Sequence, residues 1–118
     1  MLTRLAIFHG TVKPGMEAEM RAFVANRLAP LWRQFEGAAA VRVLHGLEQD
    51  PDGPPVALVL AVDYPDRAAM ARAMASPARH ASRDLLPDFH ARFFEKVSLH
   101  HYLTQHDTPG GDSPAGCA

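Results

Sequence analysis

The chain has 118 residues, of which 47% are hydrophobic and 21% are charged, and its formal net charge is −1. This size and composition are typical of one globular domain, and the near-neutral charge excludes the basic surface expected of a nucleic-acid-binding protein. No apolar run reaches the roughly 18 residues that a membrane-spanning helix needs. The single cysteine, Cys117, excludes an internal disulfide. We therefore expect a cytoplasmic protein with neither a membrane nor a nucleic-acid partner.

The first third of the chain predicts one strand and one long helix. Segment 2–9 is a short apolar run that ends before Gly10, as a buried strand would. Apolar residues then recur at three- and four-residue steps from Met16 to Phe35, which predicts an amphipathic helix. Pro30 should kink this helix or end its regular part, and Gly37 is a natural stop.

A hairpin and two helical segments follow. Segments 38–48 and 56–64 are strand-like, and QDPDGPP between them is a strong turn signal, so the two strands should form a hairpin. The Ala- and Arg-rich segment 65–75 is helical. Ser76 caps a second helix, which we expect to be interrupted at Pro87.

The last strand, 97–103, completes the order β-α-β-β-α-β. This order is that of the ferredoxin-like α+β fold. It predicts a four-stranded antiparallel sheet with both helical segments on one face, in a domain that spans residues 1–106. The tail 107–118 is rich in Gly, Pro and Ser, and we expect it to be disordered.

Strand parity divides the side chains of the predicted sheet between two faces. One set is strongly apolar and should lie beneath the helices: Leu5, Ile7, His9, Val41, Val43, His45, Val56, Leu58, Leu60, Val62, Tyr64, Val97, Leu99, His101 and Leu103. The other is mixed: Arg4, Ala6, Phe8, Arg42, Leu44, Ala57, Val59, Ala61, Asp63, Ser98, His100 and Tyr102. So many apolar residues on the second face predict an interface, and its expected cover is a second copy, giving a homodimer. The polar residues of this face should pair across that interface: Arg4, Arg42, Asp63, His100 and Tyr102.

The segments VKPGMEAEM, VDYPDRAAMARAMASP and DFHARFFEKVSLHHYL resemble the dimeric α+β barrel superfamily. Within it the chain resembles the EthD-like family and, more distantly, the stress-responsive A/B barrel and antibiotic-biosynthesis monooxygenase families. The resemblance implies a pocket between the helices and the sheet for a small hydrophobic, aromatic or polyketide-like ligand. It also implies cofactor-independent isomerase, cyclase, dehydratase or monooxygenase chemistry. The A/B-barrel cyclases carry a reactive histidine where this chain has Arg79, one residue before His80.

Histidines within the apolar set are candidate general bases, because an apolar environment shifts the pKa of an imidazole. His9 and Tyr64 are expected to end adjacent, parallel strands on the same face and at the same edge. There His9 could take a proton from the carbon next to a carbonyl while the Tyr64 phenol holds the enolate oxygen. The alternative is that both are ordinary strand-end residues. His45 and His101 should lie towards the opposite edge, and His101 is a candidate ligand-binding residue.

His80 and Asp84 stand four residues apart in SPARHASRD and can face each other on a helix. The helical wheel puts them opposite the apolar positions, which favours a solvated surface pair. Pro87 could turn this segment over a cavity mouth, so a catalytic His80 stays open as the alternative.

Four large aromatics of the helices are core residues or line a ligand cavity: Trp32, Phe35, Phe89 and Phe93. The seven histidines lack metal-ligand spacing, and no Gly-rich phosphate loop occurs, so we expect neither a metal nor another cofactor. The sequence thus predicts a cofactor-independent enzyme that acts on a small hydrophobic carbonyl compound through a pocket histidine. The alternative is a non-catalytic protein that binds a hydrophobic ligand or serves as an accessory.

Overall fold

The computed structural model describes residues 1–107, and its strands and helices follow the predicted order. They are β1 (Leu2–Val12), α1 (Glu17–Phe23), α2 (Ala29–Trp32), β2 (Ala40–His45), β3 (Val56–Tyr64), α3 (Arg67–Met74), α4 (Pro77–Phe93) and β4 (Phe94–Gln105). The strands form one antiparallel sheet in the order β2-β3-β1-β4. The ferredoxin-like prediction is confirmed. The predicted disordered tail lies outside the described residues, apart from Asp107.

The core lies between the helices and one face of the sheet, which we call the inner face. Phe89 of α4 is fully buried there, with its ring 6.0 Å from that of Phe8 on β1 and 5.4 Å from that of Phe23 on α1. The first contact is edge-on and the second is stacked, which are the arrangements that aromatic rings prefer. This aromatic cluster holds α1 and α4 against the sheet. None of the helices within residues 1–107 is long and apolar enough to span a membrane.

The first helical region is broken into three parts. Between α1 and α2, residues Val24–Leu28 form a π-helical turn, and Pro30 lies in the first turn of α2. Pro30 has no N–H to donate, so it cannot form the α-helical bond to the Asn26 carbonyl, and the hydrogen-bond pattern changes in the turn before it. The predicted effect of Pro30 is confirmed. After α2 the chain turns at Gly37, whose φ of 86° favours glycine.

Helix α4 begins as predicted but is not interrupted. The Ser76 Oγ accepts a hydrogen bond from the Arg79 N–H at 3.3 Å, and Pro77 occupies the first turn. The predicted break at Pro87 is wrong, because α4 continues through it to Phe93. Pro87 removes only the hydrogen bond to the Arg83 carbonyl, and the burial of Phe89 and Phe93 beyond it keeps the helix against the core.

Strand β1 presents the opposite face to the one predicted. Arg4, Ala6 and Phe8 lie on the inner face with the predicted residues of the other three strands, because they stand opposite Val62, Leu60 and Leu58. Leu5, Ile7 and His9 therefore point to the outer face. Both parities of β1 are apolar, so alternation alone could not choose between them. The β2, β3 and β4 assignments agree with the register.

The outer face combines uncovered apolar residues with a paired charge. Leu5, Ile7 and Val59 are only partly buried. Leu44 and Tyr102 are 51% and 48% exposed. The Arg42 guanidinium donates to Asp63 Oδ1 at 3.0 Å. Arg42 and Asp63, predicted to pair across an interface, thus already pair within the chain, and Arg4 lies on the other face.

Candidate functional site

A small cavity lies between α2, α4 and the inner face of the sheet. The cavity is half-open to solvent, and its volume is about 40 Å³. That is room for a few water molecules or one carboxylate group, and well below the several hundred Å³ of a drug-sized pocket. The lining residues are Arg4, Ala6, Phe8, Trp32, Phe35, Leu60, Arg79, Ser82, Arg83, Leu86, Leu99 and His101.

Three arginines give this cavity a strong positive charge. Arg4 comes from β1, whereas Arg79 and Arg83 stand one turn apart on α4. Burial lowers the pKa of Arg4, and the charges of Arg79 and Arg83 lower it further. No aspartate or glutamate lines the cavity. The site is therefore built to receive negative charge.

His101 is the titratable base of the cavity. It stands on β4 opposite Ala6 and shares the inner face with Arg4. Burial of the imidazole, followed by the charges of Arg4, Arg83 and Arg79, lowers the pKa of His101 to about 4. The imidazole is thus neutral at pH 7 and can accept a proton.

The ligand-binding predictions divide between cavity and core. Trp32 and Phe35 line the cavity together with His101, so their predicted role in ligand binding stays a prediction with a cavity beside it. Phe89 and Phe93 do not line it. Both are fully buried, and their ring centroids are 5.8 Å apart in the aromatic cluster of the core.

The predicted His9–Tyr64 pair does not form. β1 and β3 are antiparallel, so Tyr64 stands opposite Leu2 while His9 stands opposite Val56 at the other end of the pair. The assumption that these strands run parallel is wrong, since the helix crossover returns the chain to β2 and the hairpin then reverses it. His9 also faces outwards, where its ring lies 5.7 Å from that of His100.

Tyr64 is fully buried on the inner face, behind the cavity residues. Its hydroxyl has no hydrogen-bond partner within residues 1–107. Burial raises the pKa of Tyr64, and the positive charges of Arg4 and Arg79 oppose that rise. The cavity arginines therefore affect the pKa of Tyr64, although Tyr64 does not line the cavity.

His80 is exposed on α4 and does not line the cavity. Its neighbour Arg79 does, so the residue at the position of the cyclase histidine points into the site while His80 points away from it. This placement agrees with the surface interpretation of His80.

The arginines are the site residues that sequence reasoning missed. Arg4 was assigned to the wrong face because the parity of β1 was ambiguous. Arg79, Ser82, Arg83 and Leu86 follow the spacing i, i+3, i+4, i+7, which defines one stripe of a helix. The signal for these residues was the stripe itself, in which two arginines share one helix face with a leucine and a small serine.

Solved structures with the same fold carry several names. An EthD family protein from Bacillus halodurans has a TM-score of 0.66 at 19% identity, covering 90% of this chain and 99% of that one. A mutant of SnoaB, a cofactor-independent oxygenase from Streptomyces nogalater, has a TM-score of 0.58 at 21% identity, covering 91% and 93%. A DABB family protein with a ferredoxin-like fold from Mesorhizobium loti has a TM-score of 0.57 at 13% identity, covering 90% and 100%.

No protein-family model and no curated protein sequence matches the chain. At these identities the structural likeness establishes the fold. The chain has the ferredoxin-like fold that it shares with the EthD, DABB and antibiotic-biosynthesis-monooxygenase structures, so the predicted resemblance is confirmed for the fold.

Proposed function

We propose that the protein is a cofactor-independent enzyme that moves a proton on a small hydrophobic or aromatic carbonyl compound. The observation that carries the proposal is a neutral histidine, His101, in an apolar-walled cavity with three guanidinium groups around it. One structure of the same fold is described as a cofactor-independent oxygenase and another as an antibiotic biosynthesis monooxygenase, which supports small-molecule chemistry.

The proposed chemical step is proton transfer from carbon. His101 takes a proton from the carbon next to the carbonyl, and the electron pair of that C–H bond moves to the carbonyl oxygen to form an enolate. The guanidinium of Arg4 or Arg79 stabilises the new negative charge. Return of the proton to another carbon gives isomerisation, loss of a β-hydroxyl as water gives dehydration, and attack of the enolate carbon on a second carbonyl gives cyclisation. With O₂ as co-substrate, the carbanion of a CH₂ group forms a C–O bond to O₂, the resulting peroxide anion takes the proton from His101, and loss of water leaves a new carbonyl at that carbon.

The positive charges of the neighbouring arginines make the basicity of His101 depend on the charge of the substrate. A pKa of about 4 makes His101 a weak base in the empty cavity. The His101 residue as a whole is exposed, and its pKa is low because the imidazole is partly withdrawn from water and because protonation would add a positive charge beside Arg4, Arg79 and Arg83. A negative charge that develops on the substrate offsets that repulsion, so the base strengthens as the enolate forms.

The alternative is a protein that binds a hydrophobic ligand without chemistry. One observation favours it: within residues 1–107, no side chain is hydrogen-bonded to the His101 ring to fix its orientation. Acid–base histidines are commonly oriented by such a partner.

A homodimer is part of the proposal. The apolar residues of the outer face cross all four strands, and nothing within residues 1–107 covers them: Leu5, Ile7, Val59, Leu44 and Tyr102. A second copy laid on the same face would bury both sets, and the barrel resemblance supports that arrangement. Native mass spectrometry of the purified protein tests it, with a dimer as the expected species and a monomer as the result that contradicts it.

The enzymatic proposal is tested by hydrogen–deuterium exchange at carbon. The protein is incubated in D₂O with a panel of small aryl ketones and 1,3-diketones, and loss of the α-proton signal is followed by NMR. We expect exchange by the native protein and a loss of about 10²–10⁴-fold in His101→Ala. The matched control is His100→Ala, because His100 is the neighbouring residue on the opposite face of β4.

Two results would overturn the enzymatic proposal. One is exchange that survives in His101→Ala, and the other is an absence of exchange across the panel. The second result combined with measurable binding of the same compounds would favour the binding protein.

A further inference from the structure

Within residues 1–107, no carboxylate balances the positive charge of the cavity. Arg42 and Arg92 each pair with an aspartate, at 3.0 Å and 3.9 Å. Within residues 1–107, Arg4, Arg79 and Arg83 form no salt bridge with a carboxylate. These three arginines without a carboxylate partner meet at one cavity.

The repulsion among these three arginines lowers the stability of the protein when the cavity is empty. Arg79 and Arg83 carry like charges at i, i+4, which destabilises a helix. Arg4 approaches them from the sheet and is partly removed from water. Cations withdrawn from water are normally paired with an anion. Arg83 is exposed and the Arg79 guanidinium donates to the Met74 carbonyl at 3.3 Å, but within residues 1–107 none of the three arginines has a carboxylate partner. All three charges are therefore available to an anion that enters the cavity.

The shape of the cavity limits what that anion is. The half-open cavity of about 40 Å³ has room for a carboxylate group, while a larger hydrophobic or aromatic body would extend from its mouth. Trp32, Phe35 and Leu86 form an apolar wall beside the arginines. A ligand that satisfies both features has a carboxylate on a small hydrophobic body that lies along this wall.

We propose that Arg79 and Arg83 of α4 form a carboxylate-binding subsite beside His101, so that the ligand of this cavity is a hydrophobic carboxylic acid. Guanidinium groups bind carboxylates through paired N–H···O bonds, and this geometry fixes the orientation of the bound molecule. A carboxylate held by α4 would leave Arg4, on the opposite wall, free to face the group that reacts at His101. The inference rests on the proposed function and deepens it by naming the substrate class, and it concerns binding alone.

The test compares two ligands of nearly the same shape. Calorimetric titration of the full chain with benzoate and with benzamide isolates the contribution of the negative charge. We expect benzoate to bind at least about tenfold more tightly, because charged hydrogen bonds are roughly twice as strong as neutral ones. Its affinity should fall as NaCl is added, whereas that of benzamide should not. Phenyl phosphate is the third ligand, and tighter binding of it than of benzoate would identify a phosphate site and overturn the carboxylate assignment.

Variants locate the effect on α4. In Arg79→Gln/Arg83→Gln we expect the preference for benzoate to fall to about twofold or less, with benzamide affinity unchanged. The matched control is Arg72→Gln, an exposed arginine on α3 that does not line the cavity. An independent readout is the NMR titration of His101, whose pKa should rise in the double variant and in native protein saturated with benzoate. This readout also shows that the variant is folded.

Equal affinity for benzoate and benzamide, or a preference that survives in the double variant, would overturn the proposal. Its failure is distinct from failure of the proposed enzyme. A protein that prefers benzoate but catalyses no exchange would be a carboxylate-binding protein, whereas exchange without preference would be an enzyme for neutral carbonyl compounds.

Discussion

The arginine of the outer face has an acidic partner, whereas the arginines of the inner face have none within residues 1–107. On the outer face, Asp63 Oδ1 accepts hydrogen bonds from Arg42 at 3.0 Å and from the Thr3 hydroxyl at 2.6 Å. The ring nitrogen of His106 lies 2.6 Å from the same hydroxyl. On the inner face, Arg4, Arg79 and Arg83 surround a cavity that no acidic side chain lines.

The difference separates charges that hold the fold together from charges that are available to a ligand. The outer cluster connects all four strands, because Arg42 belongs to β2, Asp63 to β3 and Thr3 to β1, while His106 follows β4. Each of these four side chains has a partner inside the chain. The inner arginines repel one another and have no carboxylate partner within residues 1–107, so a bound anion would relieve their repulsion.

The largest expected change in the free energy of unfolding comes from truncating a buried side chain of the inner face. Phe8→Ala should lower the free energy of unfolding by about 3–5 kcal/mol, because Phe8 is fully buried on the inner face against Phe89. Ile7→Ala, one residue away on the outer face, should cost less by at least about 1.5 kcal/mol. Urea denaturation of both variants at one low protein concentration measures the difference. Equal losses would mean that the assignment of β1 to the two faces is wrong.

The outer charge cluster should show a smaller, asymmetric effect. Asp63→Ala should cost about 1–3 kcal/mol, since the buried hydroxyl of Thr3 loses its acceptor. Arg42→Ala should cost less than about 1 kcal/mol, because the Arg42 side chain is 53% exposed. Thermal unfolding of the single variants and of the double variant gives the coupling between the two residues. A larger loss for Arg42→Ala would contradict the role given to Asp63.

Acidification should weaken the inner face. The pKa of His101 is about 4 in the folded protein and near 6.5 when exposed. The unfolded chain therefore binds a proton first as the pH falls, so the free energy of unfolding should decrease from about pH 6.5 to about pH 4. Burial lowers the pKa of His45 and His90 and adds in the same direction. Denaturation across this range should give a shallower slope for His101→Gln, and an unchanged slope would contradict the pKa of His101.

The smallest expected effect belongs to Tyr64. Its buried hydroxyl has no partner within residues 1–107, so Tyr64→Phe should leave the free energy of unfolding unchanged or raise it by up to about 1 kcal/mol. Thermal unfolding of the variant beside the native protein measures the change. A loss of more than about 1 kcal/mol would show that the hydroxyl makes a stabilising contact. It would also bring Tyr64 back into consideration as part of the site.

The elements and their order could be predicted because each has a local signal. The stripe from Met16 to Phe35, the turn QDPDGPP and the cap at Ser76 fix their elements without knowledge of the rest of the chain. The break expected at Pro87 shows the limit of such signals. Whether a proline ends a helix depends on the residues buried beyond it, here Phe89 and Phe93.

The site was predicted only where one face of an element was unambiguous. His101 lies on a strand whose alternation is clear, and Trp32 and Phe35 lie on an amphipathic helical stripe, so these three cavity residues were found. Arg4 was missed because both faces of β1 are apolar. The His9–Tyr64 pair was wrong because strand direction is a property of the whole connection and cannot be read from the strands themselves.

The position of Trp32 gives the protein a built-in optical probe. It is the only tryptophan of the chain, it is 3% exposed, and it forms part of the cavity wall. All indole emission therefore originates beside the cavity arginines, where a bound anion or ring would change its intensity or colour. Unlabelled metabolite mixtures can thus be screened by the light that the native chain itself emits.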